Sequence, residues 1–211
     1  MRTSDYGPVS AAEVNDVISS LGVAPSSDIG QINGQIWPAA AAFARYVTSN
    51  TVFSERVLAD RNIVELGAGT GVAGLAVARM GASCVTLTEH PEAMSILTEN
   101  VSNAGIEGTT VMPLLWGEQT DMRCELVLAA DCCYDPSSLE AIAITIRQLL
   151  SDGHGVALVV QEVRWKDIHN WSIESFQEVG LVLKERIDLG AWIGSKHGIE
   201  LLVWSSVSSV D

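Results

Sequence analysis

The stretch Ile63-Val64-Glu65-Leu66-Gly67-Ala68-Gly69-Thr70-Gly71, followed directly by Val72-Ala73-Gly74-Leu75-Ala76-Val77-Ala78-Arg79-Met80, decides the fold. A short apolar run interrupted by one acid reads as a strand covered on both faces, and the residues after Gly71 read as a helix. Glycines at the turn permit positive φ and let a ligand approach with no Cβ in the way. The helix that follows offers free N–H groups at its first turn. Strand, glycine turn and helix in this order open an α/β domain whose turn holds a ligand with an acceptor group.

Working outward, further apolar runs at 84–88, 110–114, 125–130 and 155–160 read as strands, with helical stretches at about 72–80, 91–104, 137–150 and 167–179 between them. The strand at 62–66 completes a set of five helix-connected strands. Leu181–Asp188 and Ile199–Ser205 follow, joined by a loop too short for a crossover helix, so they pair antiparallel. The expectation is a doubly wound, Rossmann-like seven-stranded sheet, mostly parallel, with a C-terminal antiparallel hairpin. Ahead of it, Ala11–Leu21 and 38–49 read as helices, the second with Pro38 in its first turn. Residues 1–33 form an N-terminal arm and 34–211 the domain. The tryptophans Trp165, Trp171, Trp192 and Trp204 are expected in the core.

Composition narrows the class of protein. The 211 residues carry a net charge of −14 and an apolar fraction of 47%, which suits one core-bearing globular domain. No basic run is present, so a grip on nucleic-acid phosphates is not expected. Neither a leader with an apolar core nor an apolar span of membrane length occurs, and a soluble cytoplasmic protein, extending to the nucleus, is expected. Cys84, Cys124, Cys132 and Cys133 form no C-x-x-C pair, and the four histidines lack metal-site spacing. Reduced, packed thiols and no metal are expected.

The ligand of the glycine turn has two readings. Gly69, Gly71 and Gly74 match G-x-G-x-x-G, with Glu89 twenty residues beyond Gly69, as in dinucleotide-binding turns. Against this, Glu65 stands at the strand end, where its charge opposes a pyrophosphate but suits the cationic methionine end of S-adenosylmethionine. Glu89 closes the next strand and can accept hydrogen bonds from both hydroxyls of a ribose.

Four motifs then carry a family resemblance: Gly34-Gln35-Ile36-Trp37-Pro38-Ala39-Ala40, Glu65-Leu66-Gly67-Ala68-Gly69-Thr70-Gly71, Leu115-Trp116-Gly117-Glu118 and Ala130-Asp131-Cys132-Cys133-Tyr134. Over roughly residues 30–205 the chain resembles the seven-β-strand protein-lysine methyltransferases of the methyltransferase-like type. The resemblance implies S-adenosylmethionine as cofactor and S-adenosylhomocysteine as product. It implies a cofactor pocket formed by Trp37, Glu65, Gly67, Ala68, Gly69, Thr70, Gly71, Glu89, Trp116 and Ala130, with Trp116 near the adenine. Asp131 and Tyr134 would border the acceptor. The chain departs from the family pattern at Glu89, where Asp is common, and at Leu115, where an acid is common.

The implied reaction is methylation of a protein side chain, usually a lysine amine, with Asp131 orienting the amine and Tyr134 lining its channel. The expected partner is a protein presenting a lysine, such as a chaperone or translation factor, met by a monomer whose acidic surface favours basic partners. Residues 1–33 and 189–198 are the expected docking elements. Two alternatives use the same scaffold: methylation of a small molecule or a protein histidine, and a catalytically idle binding module.

Overall fold

The computed structural model describes residues 11–25, 34–150, 155–191 and 197–206. Seven strands form one sheet: β1 (Asn62–Leu66), β2 (Cys84–Glu89), β3 (Thr109–Pro113), β4 (Leu126–Ala130), β5 (Val156–Glu162), β6 (Leu181–Ala191) and β7 (Gly198–Ser206). Their order across the sheet is β3-β2-β1-β4-β5-β7-β6. The pairings from β3 through to β5 are parallel, and β7 runs antiparallel to both of its neighbours. This is the doubly wound sheet with a terminal hairpin that the alternation of elements predicts.

Seven helices accompany the sheet among the described residues: α1 (Ala11–Leu21), α2 (Pro38–Ser49), the single turn α3 (Thr51–Phe53), α4 (Val72–Arg79), α5 (Met94–Ala104), α6 (Leu139–Leu149) and α7 (Lys166–Glu178). A π-helical turn over Ser54–Leu58 continues α3. On one face, α1, α2, α4 and α5 bury residues such as Leu21, Phe43, Leu75 and Leu97 against Leu87 and Leu128. On the other, α6 and α7 bury Ile142, Ile146 and Phe176 against Val127 and Trp204. Full burial of each such side chain contributes about 1.5–3 kcal/mol, so the two cores, rather than any staple, hold the sheet. Within the first 33 residues, 11–25 pack onto the domain: Leu21 and Val23 are buried, and the Arg79 guanidinium donates to the carbonyl of Ser20. Residues 1–10, 26–33 and 192–196, which include parts of both expected docking elements, lie outside the described residues.

Two expectations are corrected. The link from β3 to β4, residues 114–125, is irregular and not helical, so the five strands are not all helix-connected. Its sequence, Leu114-Leu115-Trp116-Gly117-Glu118-Gln119-Thr120-Asp121-Met122-Arg123, has no apolar stripe at helical spacing to bury. Trp204 is fully buried and meets the Phe176 ring edge-on at 5.3 Å, but Trp165 and Trp171 are 56% and 48% exposed. On α7 the buried stripe is His169, Ser172, Ile173 and Phe176. Trp171 stands on the opposite face, because two positions turn a helix by about 200°. Trp165 is the N-cap of α7, ahead of the buried stripe, with its carbonyl accepting the His169 N–H at 3.0 Å, and Trp192 is outside the described residues.

Strand order reverses between β1 and β4. In an open α/β sheet a crevice forms there beyond the carboxyl ends of the strands. All chemistry described below gathers at that end of β1, β2, β4 and β5.

Candidate active site

β1 runs into the turn at Gly67, whose φ is +56°. A Cβ there would lie 2.8 Å from the Trp116 ring and 3.1 Å from the Cys132 sulfur, so only glycine lets the indole rest on the turn. The turn is then tied to β2: Ala68 N–H donates to the Thr88 carbonyl at 2.9 Å, and the Thr88 hydroxyl donates to the Glu65 carbonyl at 2.6 Å. From α5, the buried Asn100 amide donates to the carbonyls of Thr70 at 2.9 Å and Ala24 at 3.0 Å. Its own oxygen accepts from Ala24 N–H at 3.2 Å. One side chain thus fixes both the turn and the segment leaving α1.

Glu65 is turned inward. Its Oε2 accepts the Gly74 N–H at 3.0 Å, and a Cβ on residue 74 would come within 2.2 Å of that oxygen. Gly74 lies in the first turn of α4, so a donor expected to be open to a ligand is already taken by the protein's own acid. Burial pushes the Glu65 carboxyl up to about 8, against the lowering effect of the Gly74 bond and with a further push from Glu89. Glu89 accepts from Gly69 N–H at 2.8 Å through one oxygen and from His90 N–H at 2.7 Å through the other. Each oxygen of a carboxylate has two acceptor positions, so one remains on each for paired hydroxyls.

These residues line a cavity of about 510 Å³. Of the residues the sequence singles out, Trp37, Glu65, Gly67, Ala68, Gly69 and Thr70 line it. Glu89, Trp116, Ala130, Asp131 and Tyr134 complete the wall. Gly71 does not; with φ at +84° it turns the chain into α4. Three acids, Glu65, Glu89 and Asp131, line one cavity with no Lys or Arg among its lining residues, which suits a ligand whose positive charge would also return Glu65 to its ionised form. A pyrophosphate would meet Glu65 where it expects a helix N-terminus, so the G-x-G-x-x-G match does not denote a dinucleotide site. This wall, with acids, a glycine turn and the Trp116 ring resting on Gly67, suits the cationic methionine end, ribose and adenine of S-adenosylmethionine.

The wall expected from the sequence to border the acceptor is built around Asp131, which follows β4 in the left-handed conformation, φ +58°. Its N–H donates to Val160 at 2.7 Å, and Glu162 N–H reaches its carboxylate at 3.4 Å. The Arg164 guanidinium pairs with Asp131 and, through Nε, with Glu162 at 3.3 Å. Burial pushes the Asp131 carboxyl up despite the opposing pull of Arg164. Burial likewise raises the Tyr134 hydroxyl, keeping it a neutral phenol. Cys132 and Cys133 are buried, and burial pushes Cys132 well up and Cys133 to about 12, which fits packed thiols. Among the described residues no cluster of potential metal ligands occurs.

Sequence reasoning misses Arg164 and Asn100. Arg164 stands two residues beyond β5, next to the strand-order reversal, where residues past a strand's carboxyl end face the crevice. That position is the signal that finds it. Asn100 carries none, since it is one of several polar residues on α5.

A sequence profile of the lysine methyltransferase family matches residues 23–178. The chain belongs to this family. A lysine methyltransferase by family, it is an S-adenosylmethionine-dependent methyltransferase. It is similar to protein N-lysine methyltransferase METTL21A of Danio rerio, 29% identical over 179 residues that cover 79% of each chain. It is also similar to histone-arginine methyltransferase METTL23 of Xenopus laevis, 29% identical over 122 residues that cover 54% of this chain and 50% of that one. Its fold matches a Pyrococcus horikoshii protein provisionally assigned as an RNA methyltransferase, with a TM-score of 0.67 at 15% identity. The match covers 94% of this chain and all of that one. The lysine methyltransferase fold is therefore the one derived from the glycine turn and the terminal hairpin.

Proposed function

We propose that this lysine methyltransferase methylates the ε-amine of a lysine presented by a partner protein. The observation that carries the reading is the meeting of two cavities. The 510 Å³ cavity adjoins a second of about 260 Å³, and both are walled by Trp37, Asp131 and Tyr134. When bound, S-adenosylmethionine supplies an electrophilic methyl whose C–S bond breaks, with its electron pair left on sulfur, as the amine lone pair forms the new N–C bond. The protein's task is to aim that lone pair, because orientation alone can supply much of the acceleration. It must also help remove a proton: a lysine with an ordinary value near 10.4 needs about 4–5 kcal/mol to become neutral at pH 7. Partial desolvation of the amine between Trp37 and the half-exposed Tyr134 ring lowers that cost, and the proton leaves to solvent. With a net charge of −14, encounter with a basic partner is favoured at low salt.

The similarity to METTL23 supports a second reading, arginine as acceptor. Against it, Asp131 and Glu162 are both engaged by Arg164 and so are not open to clasp an incoming guanidinium. Labelled S-adenosylmethionine, added with the enzyme to heat-treated, dialysed cell lysate, distinguishes the two after acid hydrolysis: methyl-lysine is expected, and methyl-arginine alone overturns the proposal. Asp131→Asn and Tyr134→Phe are expected to lower transfer at least tenfold while leaving cofactor affinity, measured by calorimetry, within about twofold. Unaltered turnover in both variants removes these residues from the acceptor site.

A further inference from the structure

The smaller cavity has an unusual wall for a pocket that is to receive a cationic side chain. Trp37, Trp165 and Tyr134 supply rings, Asp131 supplies an acid, and Arg164 supplies a permanent cation. The guanidinium carbon lies 5.5 Å from the Trp37 ring centroid and 5.9 Å from that of Trp165. Two indoles and two carboxylates hold it, and its side chain is only 19% exposed. Fixed in this way, Arg164 lines the cavity and does not fill it, since the 260 Å³ remain with the guanidinium in place.

We propose that Arg164 is the fixed cation of the acceptor pocket, disfavouring the protonated acceptor amine and favouring the neutral nucleophile. This inference rests on lysine being the acceptor. Asp131 alone beside the amine would hold it as ammonium, which opposes transfer. Arg164 neutralises that charge and, being unable to lose its own proton, sets a like charge against the ammonium. The aromatic rings accept the aliphatic stem, and the charged pair itself is screened little by water, the Arg164 and Asp131 side chains being 19% and 5% exposed. The other titratable groups nearby are Glu162 on β5, already paired with Arg164, the neutral phenol of Tyr134, and Cys133 and His169 behind them. Burial lowers His169, which lies 3.2 Å from Glu200 of β7, so it adds no second cation at neutral pH. Arg164 acts through its field and does no chemistry itself. The proton passes from the amine to water, and the lone pair left behind attacks the methyl.

Two readouts test this on the full chain. In the first, n-butylamine stands in for the lysine side chain, and its binding to protein saturated with S-adenosylhomocysteine is followed by tryptophan fluorescence. Wild type and Arg164→Lys are expected to bind more tightly as pH rises from about 6 to 9, because the neutral amine is the preferred form. Arg164→Gln is expected to reverse the trend, since Asp131, no longer answered by a guanidinium, then retains the ammonium. Asp131→Asn combined with Arg164→Gln leaves no fixed cation to oppose the ammonium, so a flat or reversed trend is expected, and a rise with pH as steep as that of wild type overturns the inference. That double variant also carries the comparison if Arg164→Gln alone fails to fold. Absence of n-butylamine binding by wild type overturns the assignment of this cavity to the acceptor.

In the second readout, methyl-lysine formed in heat-treated, dialysed lysate is measured against pH. Loss of the cation is expected to move the midpoint of Arg164→Gln up by about 1–2 pH units relative to wild type, with Arg164→Lys unmoved. An equal fractional loss at every pH marks Arg164 as merely structural. Tighter, faster turnover at neutral pH in Arg164→Gln marks it as an occupant of the substrate's seat, and either result overturns the inference. Wild-type protein that forms no methyl-lysine at any pH overturns the lysine reading itself. Wild-type activity with an unmoved midpoint in Arg164→Gln overturns only the role of Arg164.

Discussion

Glu65 Oε2 accepts the Gly74 N–H at 3.0 Å, across a gap that admits no Cβ on residue 74. The strand that precedes the turn therefore caps the helix that follows it, and the two sides of the glycine loop are locked by a contact nine residues apart in sequence. This bond explains why a glycine is tolerated inside α4, where it costs roughly 1 kcal/mol of helix propensity relative to alanine.

Gly74→Ala accordingly tests two opposed effects. Helix propensity alone predicts stabilisation by about 1 kcal/mol. A Cβ 2.2 Å from a buried carboxylate oxygen must instead displace Glu65 or α4, and overpacking of this kind costs about 1–3 kcal/mol. Net destabilisation is expected in urea unfolding, together with weaker S-adenosylhomocysteine binding by calorimetry. A more stable Gly74→Ala protein would show that the helix end can shift freely.

A second prediction concerns pH. The folded protein holds Glu65 at about 8, against an ordinary carboxyl value of 4.5, so between these values the folded chain binds a proton that the unfolded chain has lost. The stabilising effect is full below about 4.5 and is lost as pH rises through 8. Its size is a few kcal/mol, at about 1.4 kcal/mol per pH unit. Glu65→Gln keeps an acceptor for Gly74 and removes the titration. The stability of wild type relative to Glu65→Gln, read from urea midpoints, should therefore fall steadily over this range. A difference that does not change with pH would mean the carboxyl titrates normally.

The third prediction isolates Asn100. Asn100→Ala leaves the carbonyls of Ala24 and Thr70 and the N–H of Ala24 without this partner, at a cost of about 2–3 kcal/mol. Asn100→Asp should cost more, because a carboxylate there faces two carbonyl oxygens. Faster amide exchange at Ala24 in either variant is the local signature. Unchanged exchange would separate the α1 segment from the turn.

How much of this was readable in the chain depends on how far apart the partners lie. Glu65, Gly67 and Glu89 could be placed at one site because each stands at a strand end or a glycine turn, and those positions face the crevice whatever else the chain does; Trp116, on the irregular β3–β4 link, is placed there by the family resemblance. The Asp131–Arg164 pair joins two such ends 33 residues apart, and nothing near Asp131 announces that its charge is already answered. The inward turn of Glu65 was equally hidden, since a strand-end acid can point to solvent, ligand or helix with the same sequence. Trp171 shows the limit of reading hydrophobicity by residue type: its exposure follows from the phase of α7, set by His169, Ser172, Ile173 and Phe176. The irregular β3–β4 link could be read from its lack of periodicity, but the regular alternation on either side suggested otherwise.

The order of the strands has a consequence for how the molecule meets copies of itself. Its outer strands are β3 and β6, and an open rim of a sheet can template further strands. β3 is five residues long and ends in Pro113, which has no N–H to offer a neighbour. β6 is longer, but its register slips twice against β7, between Leu183 and Glu185 and between Asp188 and Ala191, and Lys184, Glu185, Arg186 and Asp188 charge it. Brevity on one flank and kinks with charge on the other guard an apolar sheet against fibrous self-association.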